Sequence, residues 1–178
     1  MVRKLFQLIY CMNIWQIVLL MILVTYSFLA LEKIFCQRNI WKGFKLGATL
    51  TIVAAIIYTT LGNRDYSDEI VHALVLFHSY WEVWRGGSIE IYRSNFMNVV
   101  LFYPAGLLAM ALLPGRWAWG RRCLLVVLPL AAMSVGIEFL QYRFALGQCE
   151  IDDVIHNTLG ALLGSLAAML PQILPRKS

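Results

Sequence analysis

Long apolar runs alternate with short charged connections along most of the chain. A bilayer core about 30 Å thick needs roughly 20 consecutive apolar residues in a helix. The runs near that length predict five membrane-spanning helices, at residues 8–31, 44–61, 96–113, 123–141 and 154–174. The second run is the shortest, and Lys42 and Lys45 would need to extend towards the membrane surface at its end. A bundle of four spans is the alternative if that run lies at the membrane surface.

Residues 63–94 form one long connection between the second and third spans. Its segment 70–84 is apolar, but it contains two histidines and is too short and too polar to cross a membrane. Its Trp and Tyr residues favour the level of the lipid headgroups. The pattern therefore predicts an interfacial or re-entrant helix that ends at Gly86 and Gly87.

Together these segments predict an all-α fold. The chain is expected to be a polytopic membrane helix bundle of about five transmembrane helices, with one interfacial or re-entrant helix in the long loop after the second span. Residues 1–178 would form a single integral membrane domain. The composition agrees, since 60% of the residues are hydrophobic and only 14% are charged, a balance that is wrong for a soluble domain of this size.

The distribution of charge excludes a nucleic-acid partner and predicts an orientation. Lys and Arg give a net charge of +5 but fall in the gaps between apolar runs. The connections after the first and third spans and the C-terminal tail hold nine of them, and the other side holds six. Because Lys and Arg are enriched in cytoplasmic loops, we expect a cytoplasmic C-terminus and an outward-facing long connection. The pair Arg3 and Lys4 opposes this orientation.

The four cysteines predict no metal or disulfide chemistry. Cys11, Cys36, Cys123 and Cys149 are far apart and show no CxxC or Cys/His spacing. Neither a disulfide framework nor a zinc site is expected, and the sequence predicts no cofactor. The oligomeric state stays open.

Polar side chains interrupt the last two apolar runs at helical spacing. Ser134, Glu138 and Gln141 lie at i, i+4 and i+7, and Asp153 and Asn157 lie at i and i+4. Two consecutive antiparallel helices with a short connection pack together, so we expect these side chains at one depth. The predicted cluster contains Glu138, Gln141, Asp152, Asp153, His156 and Asn157, with Asn95 and Asn98 at the same depth and Arg143 at its mouth.

Structural and functional explanations of this cluster both remain open. A carboxylate in a membrane helix costs at least a few kcal/mol unless it is paired or hydrated, which makes Glu138 a functional candidate. Alternatively, Asp152 or Asp153 is an N-cap or a first-turn carboxylate of the fifth helix, where the helix dipole favours it, and Glu138 pairs with Arg143 or bonds to Asn157. On the packing side, small residues permit close approach of helix backbones. The residues expected to serve helix packing are Pro104, Gly106, Gly160 and Gly164.

Three functions fit a polar cluster at this depth. It could recognise an amphiphilic ligand, or it could be catalytic, with Glu138, Asp153 and His156 as acid/base groups or ligands of a divalent cation. A conduction pathway is the weakest, because five short spans without internal repeats do not resemble a transporter. The sequence contains no HExxH, GxSxG or P-loop motif. Binding is therefore favoured over enzyme activity, which stays uncertain.

Three blocks of the sequence, at residues 98–106, 134–141 and 152–164, together resemble the VanZ-like family. They lie within residues 95–166, in the family's order and spacing. Two features depart from the family pattern: His156 stands where an apolar residue is usual, and the stretch before Asp153 lacks an Arg often found there. The matching positions are Asn98, Phe102, Pro104, Gly106, Ser134, Glu138, Gln141, Asp153, Asn157 and Gly160.

The resemblance implies a multi-pass protein of the bacterial inner (cytoplasmic) membrane. The family's named member is associated with low-level resistance to teicoplanin, a lipidated glycopeptide. By this resemblance we expect an outward-facing pocket that recognises a lipid-linked or lipidated envelope molecule, with membrane lipids as further partners. The alternative is a membrane enzyme that modifies an envelope lipid or peptidoglycan precursor through Glu138 and Asp153, with or without a divalent cation. The expected ligand-binding residues are Asn98, Ser134, Glu138, Gln141, Asp152, Asp153 and Asn157.

Overall fold

The computed structural model describes residues 13–35, 39–62, 72–73, 75–88, 90–146 and 149–170. Within these residues the chain is almost entirely helical, which confirms the predicted all-α bundle. The helices are α1 (Ile14–Phe35), α2 (Asn39–Ile57, continued by a π-helical turn at Tyr58–Gly62), α3 (His78–Trp84), α4 (Glu90–Leu112), α5 (Trp119–Phe144) and α6 (Ile151–Ala167). Two short strands, β1 (His72–Ala73) and β2 (Cys149–Glu150), complete the described elements.

Four helices among the described residues are long and apolar enough to cross a membrane. They are α1, α2 with its π-helical turn, α4 and α5. The second run, which the four-span alternative placed at the membrane surface, is one of them, with 24 residues. The predicted fifth span corresponds to α6, whose 17 residues rise about 25 Å at 1.5 Å per residue. The number of membrane crossings stays a prediction.

The centre of the bundle is the contact between α4 and α6, where glycines bring the two backbones together. A Cβ atom on Gly160 would lie 2.3 Å from the Val99 carbonyl oxygen, and one on Gly164 would lie 2.0 Å from that of Tyr103. From the other side, a Cβ on Gly106 would lie 2.1 Å from the carbonyl oxygen of Ala161. No side chain larger than hydrogen fits there. The glycines of α6 therefore pack on the third predicted span, and α6 also contacts α5.

The outer helices bury much less of their surface. Half of the most apolar window of α4 is buried, compared with 11% of that of α2. Along α1 and α2 large apolar side chains are exposed, for example Leu23 and Leu50. Exposed apolar area on this scale is unusual for a protein in water and suits a helix whose outer face contacts lipid tails.

The segment predicted to form an interfacial or re-entrant helix contains a helix, α3, which is shorter than expected; its position at the membrane surface stays a prediction. It begins at His78 and not near residue 70, because Phe77 adopts a left-handed conformation with φ of 60°. It ends before Gly86, whose φ of +97° favours glycine. The preceding β1 pairs in parallel with β2, with His72 opposite Cys149. This pairing was not predicted, and it ties the long connection to the start of α6.

Several residues used for the orientation lie outside the described residues: Arg3, Lys4, Arg38, Arg64, Arg176 and Lys177. The cytoplasmic C-terminus stays a prediction. The two ends of the bundle are therefore named by their residues. The Asp152 end contains α3 and the first turn of α6, and the Lys45 end contains the C-terminus of α1 and the N-termini of α2 and α5.

Candidate functional site

Asp152 caps a helix other than its own. Its carboxylate accepts hydrogen bonds from the backbone N–H of Phe77 at 2.6 Å, the N–H of Ser79 at 3.0 Å and the hydroxyl of Ser79. The first N–H groups of a helix have no partner within that helix, and Asp152 supplies one to the start of α3. The side chain is only 1% exposed, so the cap is buried. Both aspartates lie in the first turn of α6, which confirms the first-turn alternative, and the N-cap residue of α6 is Glu150. The carboxylate of Asp152 caps α3 and not its own helix.

His156 joins the same network one turn along α6. Its Nδ1 lies 2.6 Å from the backbone oxygen of Asp152, and its Nε2 lies 2.7 Å from the hydroxyl of Tyr80. A carbonyl oxygen can only accept, so Nδ1 donates to it, and in the tautomer with its proton on Nδ1 the Nε2 atom accepts from the Tyr80 hydroxyl. Partial burial, and second the negative charge of Asp152, raise the pKa of Tyr80. The phenol therefore keeps its proton as the donor to His156.

Asn95 completes this network from α4 by donating to the hydroxyl oxygen of Ser79 at 3.1 Å. We call the five residues Ser79, Tyr80, Asn95, Asp152 and His156 the anchor network. It joins α3, α4 and α6 through hydrogen bonds, and the Tyr80 ring also stacks on that of His156. Ser79 and Tyr80 were not among the predicted site residues, because their partners on α6, Asp152 and His156, are more than 70 positions away in the sequence.

Glu138 binds the backbone of the segment that precedes α6. One of its carboxylate oxygens accepts a hydrogen bond from the backbone N–H of Glu150 at 3.0 Å, and its side chain is 7% exposed. Glu138 and Asp153 lie at the same end of the bundle, and both act on Cys149. Burial first, and then the negative charges of Glu138 and Asp153, raise the pKa of the Cys149 thiol.

Three amide side chains at this end each leave one polar atom unsatisfied. Asn157 donates to the hydroxyl of Ser134 at 2.9 Å, and Gln141 donates to the backbone oxygen of Thr60 at 3.0 Å. Within the described ranges, Oδ1 of Asn157, Oε1 of Gln141 and Nδ2 of Asn98 are buried without a hydrogen-bond partner. Exchanging O and N by rotating an amide leaves one arm unsatisfied in either orientation. An unsatisfied buried polar group costs about 1–3 kcal/mol, so these positions favour a water or a ligand.

Other predicted features are arranged differently. Arg143, expected at the mouth of the cluster, is exposed, with its guanidinium 5.8 Å from the ring centre of Phe144. In the described part of the chain, no group of three or more His, Cys, Asp or Glu side chains could hold a metal ion. Asp153 is half-buried in the first turn of α6.

A second polar group, at the Lys45 end, was missed by the sequence analysis. Glu32 accepts hydrogen bonds from the indole N–H of Trp41 and from the Lys45 ammonium, the latter at 2.9 Å. Lys45 also donates to the backbone oxygen of Ala111 at 2.8 Å and is 4% exposed. Lys45 was predicted to extend towards the lipid surface, which is wrong, because a carboxylate from α1 meets it inside the bundle.

Arg122, counted as a loop charge, also lies inside at this end. It is 2% exposed and donates to the backbone oxygen of Met110 at 3.2 Å. The one available signal was Glu32, an acidic residue at the end of an apolar run, 13 positions before Lys45.

Comparison with protein families supplies the identity of the fold. The sequence pattern of the VanZ/LLP1 family matches residues 8–172, nearly the whole chain. The chain belongs to the VanZ/LLP1 family. The family match extends well beyond the three blocks of residues 95–166 and covers α1 to α6. It makes this a VanZ-like membrane protein, consistent with its long apolar helices. Searches of curated proteins and of solved structures gave no match.

Proposed function

We propose that this VanZ/LLP1 protein binds a lipid-linked or lipidated molecule of the cell envelope at its Asp152 end, and that it thereby lowers susceptibility to teicoplanin-type lipoglycopeptides. The observation that supports the proposal is a set of three amides, Asn98, Gln141 and Asn157, each with one buried polar atom that has no hydrogen-bond partner. They come from three different helices. A ligand with donors and acceptors of its own would satisfy them.

The chemistry of these amides suits such a ligand. Carboxamides are neutral and can both donate and accept, which matches the peptide bonds and sugar hydroxyls of envelope precursors and glycopeptides. Exposed apolar side chains on the neighbouring helix α5, including Val135 and Phe139, provide a surface for a lipid tail. The expected partner is therefore amphiphilic.

The predicted orientation of the protein places these amides near the envelope molecules that they would bind. The excess of Lys and Arg in the connections after the first and third predicted spans favours an Asp152 end that faces outward from the bacterial inner membrane. Lipid-linked cell-wall precursors and lipoglycopeptides meet at that surface. Conduction has no support in the described contacts.

Recognition fits the described contacts better than catalysis does. The carboxylates of Asp152 and Glu138 accept hydrogen bonds from backbone N–H groups, so they position chain segments. Nδ1 of His156 donates to a backbone carbonyl and Nε2 accepts from Tyr80. Because these groups are already engaged, the unsatisfied amide atoms of Asn98, Gln141 and Asn157 are the groups best placed to bind a ligand.

The test is protection against teicoplanin in a bacterial host that expresses the protein. Asn157→Leu and Asn98→Leu remove the unsatisfied arms with little change of volume, and we expect each to lose protection. The matched control is Thr158→Val, the residue next to Asn157, whose hydroxyl donates only within its own helix, to the Val154 carbonyl at 2.7 Å. It should protect like the wild type.

Membrane abundance and thermal stability of each variant are measured in parallel. Unchanged teicoplanin tolerance on expression of the wild type would contradict the proposed function. Full protection by both Asn variants would remove the amides from recognition. Binding of a fluorescent teicoplanin to purified protein separates direct recognition from an indirect effect on the envelope.

A further inference from the structure

The buried face of α3 fixes how this helix is rotated about its own axis. Ser79 is 1% exposed, and both its backbone N–H and its hydroxyl donate to the carboxylate of Asp152. The hydroxyl oxygen of Ser79 also accepts a hydrogen bond from Asn95 on α4 at 3.1 Å. Ser79 cannot turn outward unless these three bonds break. The remaining two sides of α3 therefore have fixed directions.

One of these two sides is aromatic. Each residue turns an α-helix by about 100°, so Trp81 and Trp84 point away from the buried Ser79. They are 50% and 78% exposed, and their rings stack on each other. Tyr80 lies beside Trp84 around the helix and is 40% exposed. We call Tyr80, Trp81 and Trp84 the aromatic flank.

The other side of α3 is polar. His78 and Glu82 lie one turn apart there, with Nδ1 of His78 3.9 Å from a carboxylate oxygen of Glu82. Their side chains are 46% and 54% exposed, and Arg85, directly after the helix, is exposed too. A helix with an apolar side and a charged side suits the plane between hydrocarbon and water. Indole and phenol rings favour the headgroup level of that plane.

The start of α4 gives the depth of the aromatic flank in a membrane. The ring centre of Tyr80 lies 5.4 Å from that of Tyr92, which is in the first turn of α4. The 23 residues of α4 rise about 34 Å at 1.5 Å per residue, slightly more than a hydrocarbon core of about 30 Å. With α4 across the membrane, Tyr92 lies at the edge of that core, and the aromatic flank lies beside it.

We propose that the aromatic flank binds the headgroup–acyl boundary of the bilayer that α4 crosses, with His78 and Glu82 turned towards water. The partner is a lipid surface. Because uncharged rings make the contact, it should not require anionic lipid. A re-entrant helix would carry Glu82 into hydrocarbon, so the arrangement favours the interfacial alternative for the long connection. The contact does not depend on binding of teicoplanin.

The experiment reads tryptophan fluorescence of the full-length protein in phosphatidylcholine vesicles. Bromine attached near the start or near the end of the acyl chains quenches indoles at that depth, and iodide quenches indoles in water. The chain has six tryptophans, so the signal of the aromatic flank is the difference between the wild type and the double variant Trp81→Phe/Trp84→Phe. We expect bromine near the start of the chains to remove about three times the fraction of this signal that bromine near their ends removes.

A matched variant moves the indole to the polar side of the same helix. Glu82→Trp, made in the double variant, has one indole on α3 at a position about as exposed as that of Trp81. We expect iodide to quench this indole severalfold more than it quenches the aromatic flank, and brominated lipid to quench it less. Thermal unfolding in detergent checks that each variant folds. Arg85→Trp reports on the same side if Glu82→Trp does not fold.

Each result supports or overturns the proposal. Stronger quenching by bromine near the chain ends would show a re-entrant helix and overturn it. Stronger quenching of the aromatic flank by iodide than by lipid would make it a surface in water and overturn it. Equal quenching of the flank and of the moved indole would contradict a fixed rotation of α3. Adding phosphatidylglycerol should leave the quenching by brominated lipid unchanged, and a requirement for it would contradict contact through uncharged rings.

Discussion

At the Asp152 end of the bundle a buried carboxylate is held by backbone N–H groups and a hydroxyl, whereas at the Lys45 end a buried ammonium is held by a carboxylate. The first arrangement fixes a segment of chain, because the donors belong to the backbone of α3. The second fixes α1 and α2 to each other, because Glu32 and Lys45 belong to different helices. The two buried charges therefore stabilise different parts of the structure: Asp152 holds the start of α3, and Lys45 joins α2 to α1.

The largest expected effect is the loss of the cap at the Asp152 end. Asp152→Asn replaces an acceptor oxygen by an NH₂ group that faces N–H donors, and we expect a loss of about 4 kcal/mol in the free energy of unfolding. Denaturant unfolding in detergent measures it. Hydrogen exchange should show that α3 loses protection before α4 does.

The matched control is Asp153→Asn, the neighbouring acid in the same turn. It should leave hydrogen exchange in α3 unchanged. Equal deprotection of α3 in both variants would mean that total negative charge, and not the bonds of Asp152, stabilises this end.

The pair at the Lys45 end gives the next largest effect. Lys45→Met leaves Glu32 without its cation inside the bundle, and removal of one partner of a buried pair costs about 3 kcal/mol. Adding Glu32→Gln to Lys45→Met should recover part of the lost stability, because the carboxylate without a cation is then removed. Calorimetry on the two single variants and the double variant measures the coupling. Additive losses would show that the pair contributes nothing as a pair.

The glycine contact that joins the two ends is tested by a smaller change. Gly160→Ala places a Cβ against the backbone oxygen of Val99, which cannot move as a side chain can, and overpacking of this kind costs about 2 kcal/mol. Gly136→Ala is the control, because a Cβ there meets no atom within 4 Å. It should be neutral or slightly stabilising. A loss in Gly136→Ala as large as that in Gly160→Ala would contradict the role of the contact.

The smallest effect is a dependence of stability on pH. Burial first, and then the charges of Asp153, Asp152 and Glu82, raise the pKa of Glu150, and only His78 lowers it. A raised pKa in the folded protein means that Glu150 destabilises the fold once it ionises. Its protonated form contributes stability below the ordinary value of 4.5, and this contribution is lost as the pH rises through the folded pKa.

Glu150→Gln should therefore raise the thermal midpoint slightly at pH 7, and the gain should vanish below the ordinary pKa of glutamate. Midpoints from pH 4 to pH 8 measure it. A gain that is the same at every pH would point to packing instead of charge.

The sequence predicted the helices because apolar runs and helical spacing are local properties. For the same reason it placed Ser134, Glu138, Asp153 and Asn157 at one end of the bundle. It could not predict the partner of Asp152, because Ser79 lies 73 positions away and the cap forms only when α3 docks on α6. The position of Phe77 in the left-handed region follows from that docking, which explains why α3 begins later than the apolar pattern indicated.

The Lys45 end was mispredicted for a related reason. A lysine near the end of an apolar run has the same sequence pattern whether it reaches the membrane surface or pairs inside. Only the position of Glu32 on a different helix decides between them. Charge counts along the chain treat both cases alike.

The cap at Asp152 also has a mechanical consequence. Trp81 and Trp84 belong to α3, and their rings stack on each other with centres 5.3 Å apart. The two residues are 50% and 78% exposed. Since the N-terminus of α3 is held by a carboxylate of α6, pushing or pulling on these rings must either stretch three hydrogen bonds or drag the first turn of α6 along.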